Sequence, residues 1–303
     1  MLDSRILTQL ASSQGSNYLV GVMVKSRGLQ FDEIGRWTEI KHDIIRRYGQ
    51  EYVRILAQQR SLHSVYIDAF AGHGEALRKE TKELVPGSPL IALELKPKFE
   101  EHHFIDIDGT KTGYLRKLTE GRSDVVIHEG DCNKVLKSEI FPTLEYESFR
   151  RALCLLDPKG LHLEWDVVQA AGELGTIDII LNFPVMDMNE NALWRNPDAV
   201  PISQKERMTA FWGDETWMAA AYKEQPGLFG ESFSMRQPMG VVVDAYRERL
   251  RAVAGFKNVT KPIPMRNSRN AIIYYLFFAS QKKVAADIID YIFRTYERGG
   301  FCE

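Results

Sequence analysis

Apolar side chains recur along this chain in two alternating rhythms. Between residues 34 and 60, Ile34, Trp37, Ile40, Ile44, Ile45, Tyr48, Tyr52 and Ile55 return near helical spacing, which predicts one or two amphipathic helices lying on a core. Five short apolar runs follow: VYIDAFAG (65–72), HHFIDID (102–108), DVVIHEGD (124–131), RALCLLDP (151–158) and IDIILNFP (177–184). They are apolar almost throughout, not at every second residue, so they predict parallel strands buried on both faces by the helical stretches between them. Among those stretches, Ser88-Pro89 reads as an N-cap followed by proline at the first helical position, and 160–174 as a helix ending near Gly172 or Gly175.

Two more β-rich runs, FKNVTKPIPM (256–265) and AIIYYLFFAS (271–280), are joined by the short polar link RNSRN. A link that short permits only an antiparallel pair, because a parallel pair needs a long crossover. The expected fold class is therefore α/β, doubly wound, with a mainly parallel seven-stranded sheet ending in an antiparallel hairpin. The roughly sixty residues before the hairpin are rich in Trp and Met and read as a helical insertion over the strand ends. The expected organisation is an N-terminal arm and packing helices over 1–60 and a Rossmann-like core over 61–186. A helical cover over 187–252 and the hairpin with a last helix over 253–303 complete it.

Size and composition agree with that plan. A chain of 303 residues, 44% hydrophobic and 26% charged, buries a full core, as one α/β domain carrying an inserted piece. Its 39 basic and 41 acidic residues give no global field toward nucleic acid. Locally, eight basic side chains between Arg236 and Asn270 face two acids, which reads as a solvated helix face plus a basic turn or as an anion-binding surface. Arg266 and Arg269 in that turn are candidate substrate contacts, and a nucleic acid is a candidate partner. No run nears the roughly 18 apolar residues needed to span a bilayer, and the first residues lack the order of a secretory signal. With only Cys132, Cys154 and Cys302, neither a disulfide framework nor a zinc cluster is expected, and a reducing cytoplasm fits.

In open α/β sheets, ligands bind beyond the carboxyl ends of the strands. The first run ends Asp68-Ala69-Phe70-Ala71-Gly72-His73-Gly74, where Gly72 and Gly74 let the backbone approach a ligand and Asp68 can accept from an amino group. At the second, Asp106 is placed to take both hydroxyls of a ribose beside Ile107, while Asp108 suits a helix N-cap. The third ends Gly130-Asp131-Cys132-Asn133, with Asp131 for an adenine amine and the Cys132 amide for a ring nitrogen. Three successive acids repel a pyrophosphate and attract a sulfonium and an amino group, so the expected cofactor is S-adenosylmethionine, with Asp68, Phe70, Gly72, Gly74, Asp106, Ile107, Asp131, Cys132 and Asp157 as its contacts.

YIDAFAGHG, GSPLIAL, FIDID, GDCN, LLDPKG, DIILNFP and YYLFFAS occur in an order that resembles the three-Cys-motif partner proteins, a bacterial methyltransferase-like family, with TEIKHDIIRRYGQEYVRIL resembling its leading helices. The resemblance spans roughly 34–298. It implies a class I methyltransferase fold, S-adenosylmethionine at the first three strand ends, and a genomic partner bearing three cysteines and likened to radical S-adenosylmethionine enzymes. It implies no substrate.

Asp157-Pro158-Lys159-Gly160 ends the fourth run where amino-group methyltransferases carry an acid or Asn followed by Pro-Pro-aromatic. The carboxylate and a carbonyl there would orient an amine lone pair toward the methyl group, with Asp157, Pro158 and Asn182 as catalytic candidates. Lys159 and Gly160 replace the second proline and the aromatic, and Lys159 and Phe183 are read as substrate contacts. His102-His103 point to opposite faces and carry no metal spacing; His73, between the two glycines, reads as an exposed loop residue in preference to a base over the cofactor; Trp194, Trp212 and Trp217 read as core of the cover in preference to stacking on a base. The expected activity is methyl transfer to an amino group, on a nucleic acid or nucleobase among others. A catalytically silent S-adenosylmethionine-binding scaffold and a nicotinamide-dependent oxidoreductase are the alternatives, the latter disfavoured by the terminal hairpin.

Overall fold

A computed structural model describes residues 30–226 and 232–298, so the arm up to residue 29 and Cys302 lie outside the described residues. The elements run β1 (Glu33–Ile34), α1 (Arg36–Leu56), β2 (His63–Asp68), β3 (Glu75–Arg78), β4 (Leu84–Pro86), α2 (Ser88–Leu93), β5 (Glu101–Asp106), α3 (Gly109–Leu118), β6 (Val125–Glu129), α4 (Cys132–Val135), β7 (Arg150–Leu156), α5 (Trp165–Leu174) and β8 (Ile177–Phe183). Then come α6 (Ile202–Trp212), α7 (Trp217–Ala221), β9 (Tyr222–Pro226), β10 (Ser232–Arg236), α8 (Met239–Ala252), β11 (Asn258–Val259), β12 (Ile263–Arg266), β13 (Ile272–Ser280) and α9 (Lys283–Arg298), with short helical turns between.

The central sheet has the order β11-β13-β8-β7-β2-β5-β6, with β12 also on β13. The five adjacent strands from β8 to β6, the last at the sheet edge, are parallel, and β13 runs antiparallel to β8, closing the sheet with the hairpin the short link required. The expected strand at 256–265 is two pieces, so eight strands stand where seven were expected. Both pieces pair with β13, Val259 with Ala279 and Ile263 with Leu276, and the chain leaves the ladder between them.

Both faces of the sheet are buried, and alternate residues on each strand feed separate cores. Val65, Ile67, Ala152, Cys154, Ile179 and Leu181 meet Val167, Val168, Trp212 and Tyr246 of α5, α6 and α8. Tyr66, Phe104, Leu153, Leu155 and Ile180 meet Ile44, Tyr48, Ala92, Ile289 and Phe293 of α1, α2 and α9. The fold is a Rossmann-like class I methyltransferase fold. Of the periodic residues at 34–60, Ile34 lies in β1 and the others, Trp37 to Ile55, in one helix whose buried face includes Lys41. Gly87, not Ser88, is the cap residue of α2, which puts Ser88 in its first turn.

The cover is not all helix. A two-stranded hairpin, Lys223 opposite Met235, stands between α7 and α8, and a small sheet of order β1-β3-β4 lies beside the glycine turn. Trp212 and Trp217 are buried in the cover, whereas Trp194 is 37% exposed, against the expectation for it. Among the described residues no helix is long and apolar enough to cross a membrane.

Candidate functional site

One cavity of about 1000 Å³ opens beyond the carboxyl ends of β2, β5, β6, β7 and β8. Asp68, which ends β2, is fully buried; its Oδ1 accepts from the Phe70 amide at 3.2 Å and its Oδ2 has no hydrogen-bond partner. Burial pushes its carboxyl up to about 7 against the pull of the Ser88 hydroxyl, and the charge of Asp157 adds to the rise. The native state thus takes up this proton more readily than the unfolded chain. Asp68 therefore costs stability as pH rises from about 3.8 to about 7, and that cost is constant above.

The turn after β2 is built for a close backbone. Gly74 has φ +79°, and a Cβ there would lie 2.6 Å from Leu115 Cδ1. Asp106 fixes this turn from the next strand: its Oδ2 accepts from the Gly72 amide at 2.9 Å and its Oδ1 from the Asp108 amide at 2.9 Å. Each oxygen keeps a second lone pair for a ligand hydroxyl. Asp108 caps α3 by accepting from the Thr110 amide, as its position predicted. Ile107, 76% exposed, offers an apolar surface at the rim. Asp131 caps α4 and accepts from both the amide and the side chain of Asn133. Burial raises the Cys132 thiol to about 12, so it is no nucleophile.

The acceptor corner holds a residue that the strand-end reading missed. Lys41 of α1, 6% exposed, forms an ion pair with Asp157 Oδ2 and sits 5.5 Å from the Tyr274 ring centroid. Asp157 Oδ1 accepts from Asn182 Nδ2 at 3.0 Å, and the same amide donates to the Pro158 carbonyl at 3.1 Å. These two bonds fix the orientation of the amide and leave Asn182 Oδ1 buried without a partner. The only signal for Lys41 in the sequence is a lysine inside the apolar stripe of a helix.

Other candidates stand elsewhere. Lys159 lines the rim, where its Nζ pairs with Asp32 at 2.8 Å; Asp32 also takes Lys111 at 3.0 Å. Burial opposes the Asp32 charge, but these two lysines hold its carboxyl below the ordinary value. Phe183 is not a substrate contact: it is fully buried, with its ring 4.7 Å from Tyr246 and 5.5 Å from Phe277, because its side of β8 faces the core. Arg266 and Arg269 lie at the β12–β13 turn, where Arg266 donates to the Asn270 carbonyl, and neither lines the cavity. Within the basic segment Lys257, Lys261 and Arg269 are exposed, whereas the three arginines of α8 are tied to backbone carbonyls. Arg247 and Arg251 donate to the Val259 carbonyl, and Arg249 to the Trp212 carbonyl and to Asp214.

His73 is not an exposed loop residue: it is 4% exposed and lines the cavity. His102 is buried among Tyr66, Phe99 and Phe104, and His103 meets Glu101 and His128, at 2.7 and 3.0 Å. Among the described residues no group of His, Cys, Asp and Glu side chains is arranged to hold a metal ion.

No family model and no curated relative matches the sequence. Among solved structures, protein LPL1258 from Legionella pneumophila str. Philadelphia 1, family-model DUF519, is similar over 84% of this chain and 90% of its own, at 12% identity and TM-score 0.50. A putative S-adenosylmethionine dependent methyltransferase from Listeria monocytogenes is 11% identical, covering 74% of this chain and 93% of that one at TM-score 0.39. An S-adenosylmethionine-dependent methyltransferase from Clostridium acetobutylicum ATCC 824 is 8% identical, covering 87% and 98% at TM-score 0.37. The Legionella likeness bears on the fold alone.

Proposed function

We propose that this chain binds S-adenosylmethionine and transfers its methyl group to an amino nitrogen. The observation that carries the reading is one cavity lined by Asp106 and Asp131 at two successive strand ends and by the Asp157 and Asn182 pair at the other side, with Asp68 fully buried next to the lining residues Ala69 and Phe70. Asp106 suits the ribose diol, Asp131 and the Cys132 amide the adenine edge, and Asp68 the methionyl ammonium. The cofactor, when bound, supplies an electrophilic methyl on sulfur. The chain's own contribution is placement: the unpartnered Asn182 Oδ1 needs a hydrogen-bond donor, which an amine provides, and the Pro158 carbonyl, which already accepts from Asn182, keeps a second lone pair.

Calorimetric titration with S-adenosylhomocysteine and with NAD tests the reading. The former should bind and the latter should not. Binding should also be proton-linked, because a ligand ammonium seated against Asp68 favours its carboxylate form. At about pH 6 up to about one proton should be released, read as a difference in heat between phosphate and Tris buffers, with no difference near pH 8.5. Asp68→Asn should abolish the buffer dependence. Buffer-independent heats in the parent protein would remove Asp68 from the ammonium seat.

A further inference from the structure

The geometry points to His73 as a ligand contact that hydrogen-bonds a ribose hydroxyl opposite Asp106, an assignment that rests on the adenosine-containing ligand proposed above. His73 lies between Gly72 and Gly74 in the turn that Asp106 holds through the Gly72 amide. Its ring packs into a cluster of three, 5.0 Å from the Phe31 ring and 5.9 Å from that of Tyr114, which are 5.4 Å from each other. Despite 4% exposure, its Nδ1 has no hydrogen-bond partner among the described residues. A buried imidazole nitrogen without a partner is costly, so the ring presents a nitrogen whose partner comes from outside the described residues, and the cavity it lines is where a ligand can supply one.

The surroundings decide what that partner is. Burial and the nearby Lys111 lower the tendency of His73 to protonate, so at neutral pH it is an uncharged ring with one donor and one acceptor. The charged groups facing it are Asp32, Asp106 and Asp108 against Lys111. Three acids and one base repel a carboxylate or phosphate and leave a hydroxyl as the fitting group. Asp106 can only accept, so it takes the hydrogen of a ribose hydroxyl; His73 can donate to a hydroxyl oxygen or accept from the second hydroxyl, which a further carboxylate could not do both ways.

The test compares S-adenosylhomocysteine with its analogues lacking the 2′- or the 3′-hydroxyl, titrated into the parent protein and into His73→Phe, which keeps the ring contacts and removes both nitrogens. His73→Phe should bind S-adenosylhomocysteine roughly 5–10-fold more weakly, and that loss should disappear for one of the two deoxy analogues. The melting temperature of the free variant should be equal or higher, since an unpaired buried nitrogen is gone. His73→Gln, which keeps a donor and an acceptor, should recover about half of the lost affinity on a logarithmic scale. An unchanged affinity, an equal loss for all three ligands, or a melting temperature lowered by several degrees would each make His73 a packing residue and overturn the assignment. Absence of S-adenosylhomocysteine binding to the parent protein would instead overturn the proposed function, and this contact with it.

Discussion

Asp157→Ala should destabilise the fold by about 2–4 kcal/mol, more than the loss of a helix cap, because it strands the Lys41 ammonium with 7% of its side chain exposed. Asp157 does not cap a helix after Gly160; the next α-helix begins at Trp165 with Glu164 as its cap residue. Lys41→Met alone leaves a carboxylate that is 22% exposed and still bonded to Asn182, so its cost should be smaller. The double variant, Lys41→Met with Asp157→Ala, should be more stable than Asp157→Ala, giving a coupling of about 1–3 kcal/mol in urea unfolding of the four proteins. Additive costs would mean the pair is not a unit. In methyl transfer, Asp157→Asn keeps an acceptor oxygen but removes the charge, so turnover should fall by about 10²–10³-fold while S-adenosylhomocysteine affinity stays near that of the parent protein. Loss of both together would move Asp157 into the cofactor seat.

Asp106→Ala should weaken S-adenosylhomocysteine binding by about 2–4 kcal/mol, beyond what the ribose bonds alone account for. The excess has a structural source. The Gly72 and Asp108 amides both donate to Asp106, so its removal frees the turn that shapes the cavity floor as well as the diol contact. Asp106→Asn, which keeps one acceptor oxygen, should recover part of the affinity. Calorimetry on both variants, with near-unchanged melting temperatures as the control for folding, separates these contributions. A folded Asp106→Ala with parental affinity would end the ribose role.

How much of this was legible follows from the range of the interactions concerned. The five parallel strands and the closing hairpin could be read because apolar continuity and link length are local properties that act before any tertiary contact forms. The acids at the strand ends were legible for the same reason, since position along a strand fixes the end of the sheet at which a side chain emerges. The β9–β10 hairpin was not: its residues YKEQP and SFSMR are mostly polar and carry no continuous apolar run, so their pairing depends on the neighbouring helices. The same limit hid the break between β11 and β12, where both pieces are equally β-rich and only their register on β13 separates them.

Residues whose role depends on a partner distant in sequence divide most sharply. Phe183 and Asn182 are adjacent at the end of β8, and the sequence offers both to the site. Alternation of side chains across the sheet sends Asn182 to Asp157 and Phe183 into the aromatic core with Tyr246 and Phe277. The arginines of the basic segment read from the sequence as one group, and only the loop at Val259, which brings a carbonyl to Arg247 and Arg251, shows which of them are held by the fold. Lys41 and Asp157 are 116 residues apart, and neither helix spacing nor strand pattern contains the other. The sequence by itself determined the five parallel strands, the hairpin and the acidic strand ends, because periodicity and connection length act locally. Only the tertiary structure decided that Lys41 neutralises Asp157 and that His73 is buried, because pairing and burial are set by which surfaces meet when the helices close on the sheet.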